Sequence, residues 1–413
     1  MRCPGFMITV CLGMAFAVPR TVTAQEHTFR TYQQNGVLIS ETGGSARYAE
    51  PLFSYEAILE LEQDPDNVES LLYRPGSFVL GPDGCYYLVD YGNHRIAVFN
   101  EEGRYERSFG GEGEGPGTFR SPSFQGIQGD TLLIRDFRLN RTTRMKTDGS
   151  LIDVLIRPRL ASNAARYQLS DDRQMLLHQV LIAGEKYMVQ KAALTIVNAV
   201  FDTLTHVETD SVVVGIYGYH PGSESGQTYW LPKFPGAACY AYSGTRGAFL
   251  ANGQVPVIYH INNDGELVER IVLDIPPTPV TREERRAIIA DANRKVQERT
   301  GFQGQMAEAM RDNLHIPDVK GWWNQMKIDD AGYIWLAVVG DDGIQVEEGT
   351  GSLCDVISPT GRYLGRTRLP DRLDRCVVIN GCVCAALRDR DTGEDHPTVF
   401  RIQSAVPGFV YPN

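Results

Sequence analysis

The chain has 413 residues, of which 42% are hydrophobic and 22% are charged, and its formal net charge is -11. This balance is that of a folded globular protein and excludes an intrinsically disordered chain. The length suits one large repeat domain or two to three ordinary domains. The acidic surplus argues against a nucleic-acid backbone or an anionic membrane surface as the main partner.

The N-terminus has the three parts of a secretory signal peptide. A short basic region precedes an apolar run from Phe6 to Val18, and the compact residues Val22 and Ala24 precede a cleavage point. The run is too short for a permanent membrane-spanning helix, and the alternative is an N-terminal core strand. We therefore predict a signal peptide over 1–24 and an exported domain over 25–413, periplasmic or extracellular, without membrane insertion after the signal is removed.

Two consecutive segments share one order of elements and indicate a repeat. The first reads "PGSFVLGPDGCYYLVDYGNHRIAVFNEEGRYERSFGGEGEGPGTF" and the second "SPSFQGIQGDTLLIRDFRLNRTTRMKTDGSLIDVLI". In each, a short apolar strand and a turn precede an apolar strand that ends in aspartate (Asp90, Asp136). A polar loop, a third strand, a second turn and a fourth strand follow. Repeats of roughly forty residues with four strands are typical of β-propeller blades.

Weaker copies of this unit follow, which makes about six units, and the last one has only three strands. The segment "EAILELEQ" (Glu56–Gln63) precedes the first unit as a free strand that would complete the last unit and close the ring. A lone four-stranded sheet cannot bury both faces, whereas radial stacking buries them. We therefore predict an all-β fold, a six-bladed β-propeller of four-stranded antiparallel blades.

One segment, at about 281–316, departs from the β pattern. It opens with a capping box at Thr281 and Glu284, continues with apolar residues at helical spacing and ends at Pro317. We predict a helical insertion between blades 4 and 5. It packs on the flank of the propeller or, as the alternative, forms a lid over the central channel.

Six of the eight cysteines follow the predicted signal peptide and lack the CxxC spacing of zinc sites. The stretch "RCVVINGCVCAAL" is typical of a hairpin with an Asn380-Gly381 turn. In that register Val377 faces Cys384, and Cys376 points to the opposite side. We therefore expect free buried thiols rather than a disulfide between Cys376 and Cys384.

The first unit resembles an NHL repeat. From Pro82 to Pro122 it has the PDG turn of that family, a strand closing with aspartate, an N-x-R-I start to the next strand, V-F before a turn, then F-G, a glycine-rich stretch and F-x-x-P. The resemblance covers the first two units well and the others loosely. It implies a six-bladed propeller of the kind common in exported bacterial proteins. It implies no single function, because relatives include binding scaffolds, receptor ectodomains, lactonases and a lyase.

The glycine-rich stretch Phe109–Pro122, "FGGEGEGPGTFRSP", has the look of a phosphate loop. A phosphate loop needs N–H groups that converge at a helix N-terminus, usually with a lysine. Here Glu112 and Glu114 are acidic, no lysine follows, and the next segment is a strand. We therefore predict a connector between two blades, in which glycine supplies backbone angles that other residues avoid.

Two polar sets follow the aspartate-ended strands: Asp90 with Asn93 and Arg95, and Asp136 with Asn140 and Arg141. Their repetition favours a structural role, in which the carboxylate caps the turn and pairs with arginine. The alternative is a calcium site, which the resemblance to lactonase-type propellers implies through channel carboxylates. We predict no metal or other cofactor, with Asp90 and Asp136 as the candidates if calcium binds.

The segments that enter the first strand of each unit are rich in aromatic and cationic residues, which are common anchors of recognition surfaces. In a propeller these segments surround one mouth of the central channel. The alternative is that the aromatic residues fill the space between blades and that the arginines pair with aspartates. The predicted binding residues are Arg74, Arg120, Trp230, Lys233, Trp322 and Trp323.

No catalytic constellation is visible, because the histidines are scattered and no G-x-S-x-G elbow occurs. We therefore predict a non-catalytic binding scaffold that takes an unidentified protein or small-molecule ligand at one channel mouth, as a monomer. The alternative is a metal-dependent, lactonase-like hydrolase or lyase that uses the channel.

Overall fold

The computed structural model is a ring of six sheets whose blades are antiparallel, and the predicted six-bladed β-propeller is confirmed. The structure describes residues 26–412 except 49, 157–164, 171, 184–186, 199–201, 211, 220–226, 231–235, 299–300, 313, 315, 340–350 and 390. The predicted signal peptide lies outside the described residues. Among the helices that are described, none is long and apolar enough to cross a membrane.

The strands follow one another blade by blade, after three strands in the N-terminal segment. These three are β1 (Thr28–Gln34), β2 (Val37–Gly43) and β3 (Phe53–Glu60). Blade 1 comprises β4 (Pro75–Leu80), β5 (Tyr86–Asp90), β6 (Arg95–Phe99) and β7 (Tyr105–Gly110), and blade 2 comprises β8 (Pro122–Gln128), β9 (Thr131–Asp136), β10 (Arg141–Lys146) and β11 (Leu151–Ile156). Blade 3 comprises β12 (Ala165–Ser170), β13 (Arg173–Ala183), β14 (Tyr187–Asn198), β15 (Thr203–Glu208), β16 (Val212–Tyr219) and β17 (Gln227–Trp230).

The second half of the ring has the same order. Blade 4 comprises β18 (Cys239–Ser243), β19 (Gly247–Ala251), β20 (Val257–Ile261) and β21 (Leu267–Asp274), and two helices follow it, α1 (Arg282–Glu298) and α2 (Gly301–Asp312). Blade 5 comprises β22 (Trp323–Ile328), β23 (Ile334–Val338), β24 (Leu353–Ile357) and β25 (Tyr363–Arg368), and blade 6 comprises β26 (Val377–Ile379), β27 (Cys382–Arg388) and β28 (Asp395–Ser404).

The apolar cores lie between neighbouring blades, and the two faces of a single strand contribute side chains to two different cores. On β5, Tyr87 and Val89 pack toward blade 2, whereas Leu88 packs toward blade 6. Successive side chains of a strand point to opposite faces, so a strand buried on both faces is apolar throughout. The first strands of neighbouring blades contact each other, β4 with β8 and β18 with β22, and they surround the central channel.

Blade 3 has more strands than the four predicted. Past its pairing with β12, β13 continues beside β14 as a longer hairpin. β16 pairs with the start of β14, and β17 pairs with β16. The additional strands therefore extend blade 3 at the end where β13 finishes, which is the end at which each blade's second strand reaches the channel mouth.

The N-terminal segment forms a hairpin that the sequence analysis did not predict. β1 and β2 pair around Asn35 and Gly36, both at positive φ (53° and 80°), as a two-residue hairpin turn requires. β2 then pairs in parallel with β21, so the hairpin extends blade 4 at its outer edge.

A buried carboxylate fixes this hairpin to blade 4. Ser40 Oγ on β2 donates to Glu269 Oε1 on β21 at 2.6 Å, and His260 Nδ1 lies 3.3 Å from Glu269 Oε2. Arg246 lies 3.7 Å from the same oxygen. Burial would raise the pKa of Glu269, but the hydrogen bonds from His260 and Ser40 outweigh it and hold the pKa below its ordinary value of 4.5.

This carboxylate predicts an acid sensitivity of the hairpin. Because the folded-state pKa of Glu269 is depressed, its contribution to stability is fully present above pH 4.5 and is lost as the pH falls through the folded pKa. We expect the free energy of unfolding of the wild type to fall below pH 4.5 more steeply than that of Glu269→Gln. Urea unfolding from pH 6 to about pH 3 measures the two slopes, and parallel curves would contradict the assignment.

The ring closes through an N-terminal strand, as predicted. β3 pairs antiparallel with β28 and completes blade 6, although it begins at Phe53 rather than Glu56. The C-terminal tail then covers this junction, because Tyr411 is buried and its hydroxyl donates to Asp329. The ring of Phe53 lies 5.1 Å from that of Tyr411, edge to face.

The helical insertion between blades 4 and 5 is confirmed. Glu284 N–H donates to Thr281 Oγ1 at 3.1 Å, and Thr281 N–H donates to Glu284 Oε2 at 2.8 Å, which is the predicted capping box. Lys320 Nζ donates to Glu284 Oε1 at 2.6 Å and ties the base of the insertion together. α2 contacts β16, so the insertion leans toward the additional strands of blade 3.

The cysteine hairpin has the predicted register. Val377 pairs with Cys384 and Ile379 with Cys382 around the Asn380-Gly381 turn. Within the described residues the cysteines are free thiols, and burial raises the pKa of Cys376 to about 12. They therefore serve as small core residues.

Candidate functional site

The glycine-rich stretch connects blade 1 to blade 2, as predicted. Gly110 and Gly111 have φ of 102° and 132°. A Cβ on Gly110 would lie 2.7 Å from the ring of Phe119, so glycine is required there for both conformation and space. Gly111 N–H donates to His94 O, and Phe119 N–H donates to Gly111 O, which closes the connector on itself.

The connector turns its carbonyl groups toward an arginine. Arg141 donates to the carbonyl oxygens of Glu114 and Gly115, each at 2.6 Å, and of Thr118 at 2.9 Å. A phosphate site would need the opposite polarity, with N–H groups facing the ligand. The expected pairing of Arg141 with Asp136 is therefore wrong, because the guanidinium is engaged by the connector.

Arg120 is also turned toward the connector. Its Nη1 donates to Glu112 Oε1 at 2.6 Å, and Glu114 lies 3.8 Å from Nη2. Arg120 is not among the residues that border the described mouth pocket, and its role in binding stays a prediction.

The two adjacent tryptophans of blade 5 are core residues. Trp323 is fully buried and Trp322 is 8% exposed, and both pack between blades 4 and 5. Trp323 Nε1 donates to Asp355 Oδ2 at 2.8 Å. The predicted exposure of Trp322 and Trp323 on a binding face is therefore wrong, and the alternative of packing between blades applies.

The remaining two predicted binding residues are not tested by the structure. Trp230 ends β17, where its backbone pairs with Ile216, and its side chain lies outside what the structure describes. Lys233 lies outside the described residues altogether.

Asp90 holds together the loop that enters blade 1. It is fully buried, and it accepts from Tyr73 N–H at 2.8 Å, Asn93 Nδ2 at 2.7 Å and Arg95 Nε at 2.8 Å. Arg95 also donates to Leu71 O at 2.8 Å. The structural role predicted for Asp90, Asn93 and Arg95 is confirmed.

Asp136 has the equivalent place in blade 2. It accepts from the backbone N–H groups of Arg120 at 2.7 Å, Ser121 at 3.2 Å and Leu139 at 2.9 Å. Its oxygens and those of Asp90 are thus used by donors of the fold. Among the described residues, no group of three or more His, Cys, Asp or Glu is placed to hold a metal ion.

Of the predicted binding residues whose side chains are described, Arg74 alone borders a cavity at the channel mouth. The preceding residue is fixed by Asp90, and Gly92 N–H donates to Tyr73 O at 2.7 Å. Arg74 has φ of 55°, an uncommon conformation for a side chain of this kind. Its guanidinium lies 5.3 Å from the ring centroid of Tyr91.

Arg74 borders a pocket of about 390 Å³ at the mouth between blades 6, 1 and 2. Blade 6 contributes Arg375 and Arg388 together with Asp374 and Asp395. Asp395 lies 3.5 Å from Arg388 and 3.9 Å from Arg375, and burial raises its pKa despite these cations. The pocket also has an aromatic wall, whose members are Tyr91 and Phe137.

The pocket continues outward as a groove of about 840 Å³ between blades 6 and 1. The two cavities share Arg74, Arg388 and Asp395. The groove carries Tyr73 on its wall, which is 61% exposed. Its charge is mainly acidic, from Glu60, Glu62, Glu102 and Glu394.

The segments that extend beyond the four-stranded blades at the channel mouth belong to blades 3 to 5. The extended β13–β14 hairpin, β16, β17 and the helices α1 and α2 all lie there. The pocket is instead built from the blade 6, 1 and 2 sector. Within the described residues, no residue of the insertion borders the pocket.

Sequence reasoning identified Arg74 but missed Tyr91, Arg375 and Arg388. Tyr91 follows Asp90 directly, and the repeat pattern placed that position in a turn. Arg375 and Arg388 flank the cysteine hairpin of blade 6, which places them at one end of the blade. This position was the sequence signal that could have found them, because the two strand ends of a hairpin that lie opposite its turn are at the same end of the blade.

Neither a known protein-family model nor a curated protein sequence matches this chain. Solved structures do resemble it. A protein from Bacteroides fragilis described as exported has 12% identity and a TM-score of 0.49, covering 89% of this chain and 99% of its own. A member of the DUF4221 family from Bacteroides vulgatus has 11% identity and a TM-score of 0.47, covering 86% and 100%. A calcium-binding regucalcin from Agrobacterium tumefaciens has 13% identity and a TM-score of 0.31, covering 86% and 97%.

Proposed function

We propose that this protein is an exported, non-catalytic binding scaffold that holds its partner at the pocket of the channel mouth. The observation that carries the proposal is Arg74. It is an exposed cation at the mouth, fixed by Asp90 and Gly92 through the residue before it, and its charge faces Asp395 of the same pocket. An uncommon backbone conformation maintained at a cavity is typical of a residue kept for binding.

The charges of the site favour a particular kind of partner. Two of the charged residues of the pocket have partners outside it, because Asp374 accepts from Nε and Nη2 of Arg372 at 3.0 Å each and Arg375 lies 3.2 Å from Asp371. Arg74 and Arg388 then face Asp395, which leaves a positive balance. The pocket thus suits a carboxylate, which a guanidinium binds through two parallel hydrogen bonds. The neighbouring groove is acidic and suits basic side chains. A polypeptide segment with a carboxylate at one end and basic residues beside it satisfies both cavities.

Capture from the envelope fraction of the source organism tests this function. We expect immobilised wild-type protein to retain a partner that Arg74→Ala loses, with affinity weaker by roughly 10-fold or more, as for loss of one charged hydrogen-bonded anchor. The matched control is Arg107→Ala, which removes an arginine of the same blade paired with Glu106, and neither of these residues borders the pocket or the groove. Equal capture by wild type and Arg74→Ala would refute the site, whereas loss with Arg107→Ala would indicate a nonspecific charge effect.

A further inference from the structure

A second arginine lies between blades 2 and 3, outside the lining of the mouth pocket. Arg135 is on β9, where its backbone is paired with Ser123 of β8. Leu132 and Ile134 of the same strand pack toward blade 1, so Leu133 and Arg135 point to the other side, toward blade 3. Leu133 borders a second cavity, whereas Ser123 borders the mouth pocket. Arg135 therefore lies between the two cavities.

The residues near Arg135 are consistent with a position between the two cavities. The guanidinium lies 4.0 Å from the ring centroid of Phe137, which borders the mouth pocket. On the other side its charge interacts with Tyr240 and with Tyr167, which borders the second cavity. The second cavity, of about 440 Å³, lies between blades 2, 3 and 4 at the end of the propeller opposite the mouth pocket.

Arg135 lacks the partner that a desolvated cation requires. Its Nε is buried without a hydrogen bond, and within the described part of the chain no carboxylate is paired with it. Burial lowers the pKa of this guanidinium, which nevertheless stays charged at any physiological pH. Every other charge effect on Arg135 comes from tyrosines. A desolvated charge without a counter-ion is costly, so the site is incomplete as it stands.

The residues around Arg135 indicate what kind of anion would pair with its guanidinium. Tyr167 and Tyr242 are stacked, with centroids 4.0 Å apart and planes at 25°, and they form a flat aromatic wall of the second cavity. Gln125 and Gln128 add neutral amide groups to the lining. A planar guanidinium matches a carboxylate in geometry, and an aromatic wall suits a flat organic body.

We propose that Arg135 anchors a small organic carboxylate between blades 2 and 3, with the body of that ligand in the neighbouring cavity lined by Tyr167 and Tyr242. This site is separate from the mouth pocket around Arg74 and does not depend on the function proposed for it. Its volume is within the range of small-molecule sites, about 300–1,000 Å³.

Calorimetry and thermal melts with sodium benzoate and sodium gluconate test the site, with sodium chloride at equal ionic strength as reference. We expect at least one carboxylate to bind the wild type and raise its melting temperature. Arg135→Gln weakens that binding by roughly 10- to 100-fold, as for loss of a charge-assisted pair. Arg135→Lys, which keeps the charge without the planar fork, loses part of the affinity and serves if the glutamine variant does not fold.

Two controls separate this site from other arginines. Arg144→Gln removes a cation of the same blade that is paired with Asp153, and it retains binding. Arg74→Ala retains the part of the binding that Arg135→Gln loses, because Arg74 borders the mouth pocket and not the second cavity. The proposal is overturned if neither carboxylate binds the wild type, if the two Arg135 variants bind as the wild type does, or if inorganic phosphate binds while both carboxylates fail.

Discussion

Replacing Asp355 by alanine is expected to lower the free energy of unfolding by about 3–5 kcal/mol, as for breaking a buried ion pair by removing one partner. Asp355 on β24 is fully buried and joins three side chains of blade 5. It accepts from Trp323 Nε1, Tyr363 Oη and Arg366 Nε, each at 2.8 Å. The variant leaves an indole N–H, a hydroxyl and a guanidinium without their acceptor.

Urea unfolding followed by tryptophan fluorescence measures this loss. The matched control is Glu102→Ala, which removes an exposed carboxylate paired with Arg104 and is expected to cost less than about 1 kcal/mol. A loss below about 1 kcal/mol for Asp355→Ala would show that the blade 5 network contributes little.

The second large effect concerns closure of the ring. We expect Phe53→Ala to destabilise the protein by about 3–5 kcal/mol, the usual range for truncating a buried phenylalanine. Phe53 is 2% exposed, and its ring lies 5.5 Å from that of Trp335 and 5.8 Å from that of Phe409. It therefore joins the closing strand, blade 5 and the C-terminal tail in one core.

Ile58→Ala is the control on the same strand, because Ile58 is 41% exposed and its truncation should change stability by less than about 0.5 kcal/mol. Differential scanning calorimetry of both variants gives the comparison. Equal melting temperatures for Phe53→Ala and the wild type would mean that closure does not depend on this core.

The fold was predictable where local chemistry determines it. The Asn380-Gly381 turn, the capping box at Thr281 and the free strand before blade 1 each specify one local geometry, and the structure has all three. The N-terminal hairpin was missed although Asn35-Gly36 is the same turn signal. Its outer strand β1 is polar, since it lies at the exposed edge of blade 4 rather than in a core.

The site was less predictable because strand spacing does not tell which neighbour a side chain meets. Trp323 starts β22 and points into the core between blades, where the same alternation would equally have allowed the channel. Arg120 and Arg74 occupy equivalent entry loops, yet only Arg120 has acidic residues of the connector beside it. The charged residues that lie near each arginine in the folded chain therefore determine where its side chain goes, and the repeat pattern does not contain this information.

Site-directed photo-crosslinking at the mouth tests the central claim most directly. Phe137 is 55% exposed and borders the pocket, so benzoylphenylalanine at this position is a conservative change. The control position is Leu151 on β11, which is 41% exposed on the outer strand of blade 2. We predict a discrete partner adduct from position 137 that Arg74→Ala abolishes, and none from position 151. Equal adducts from both positions, or an adduct at 137 that is indifferent to Arg74, would contradict the account.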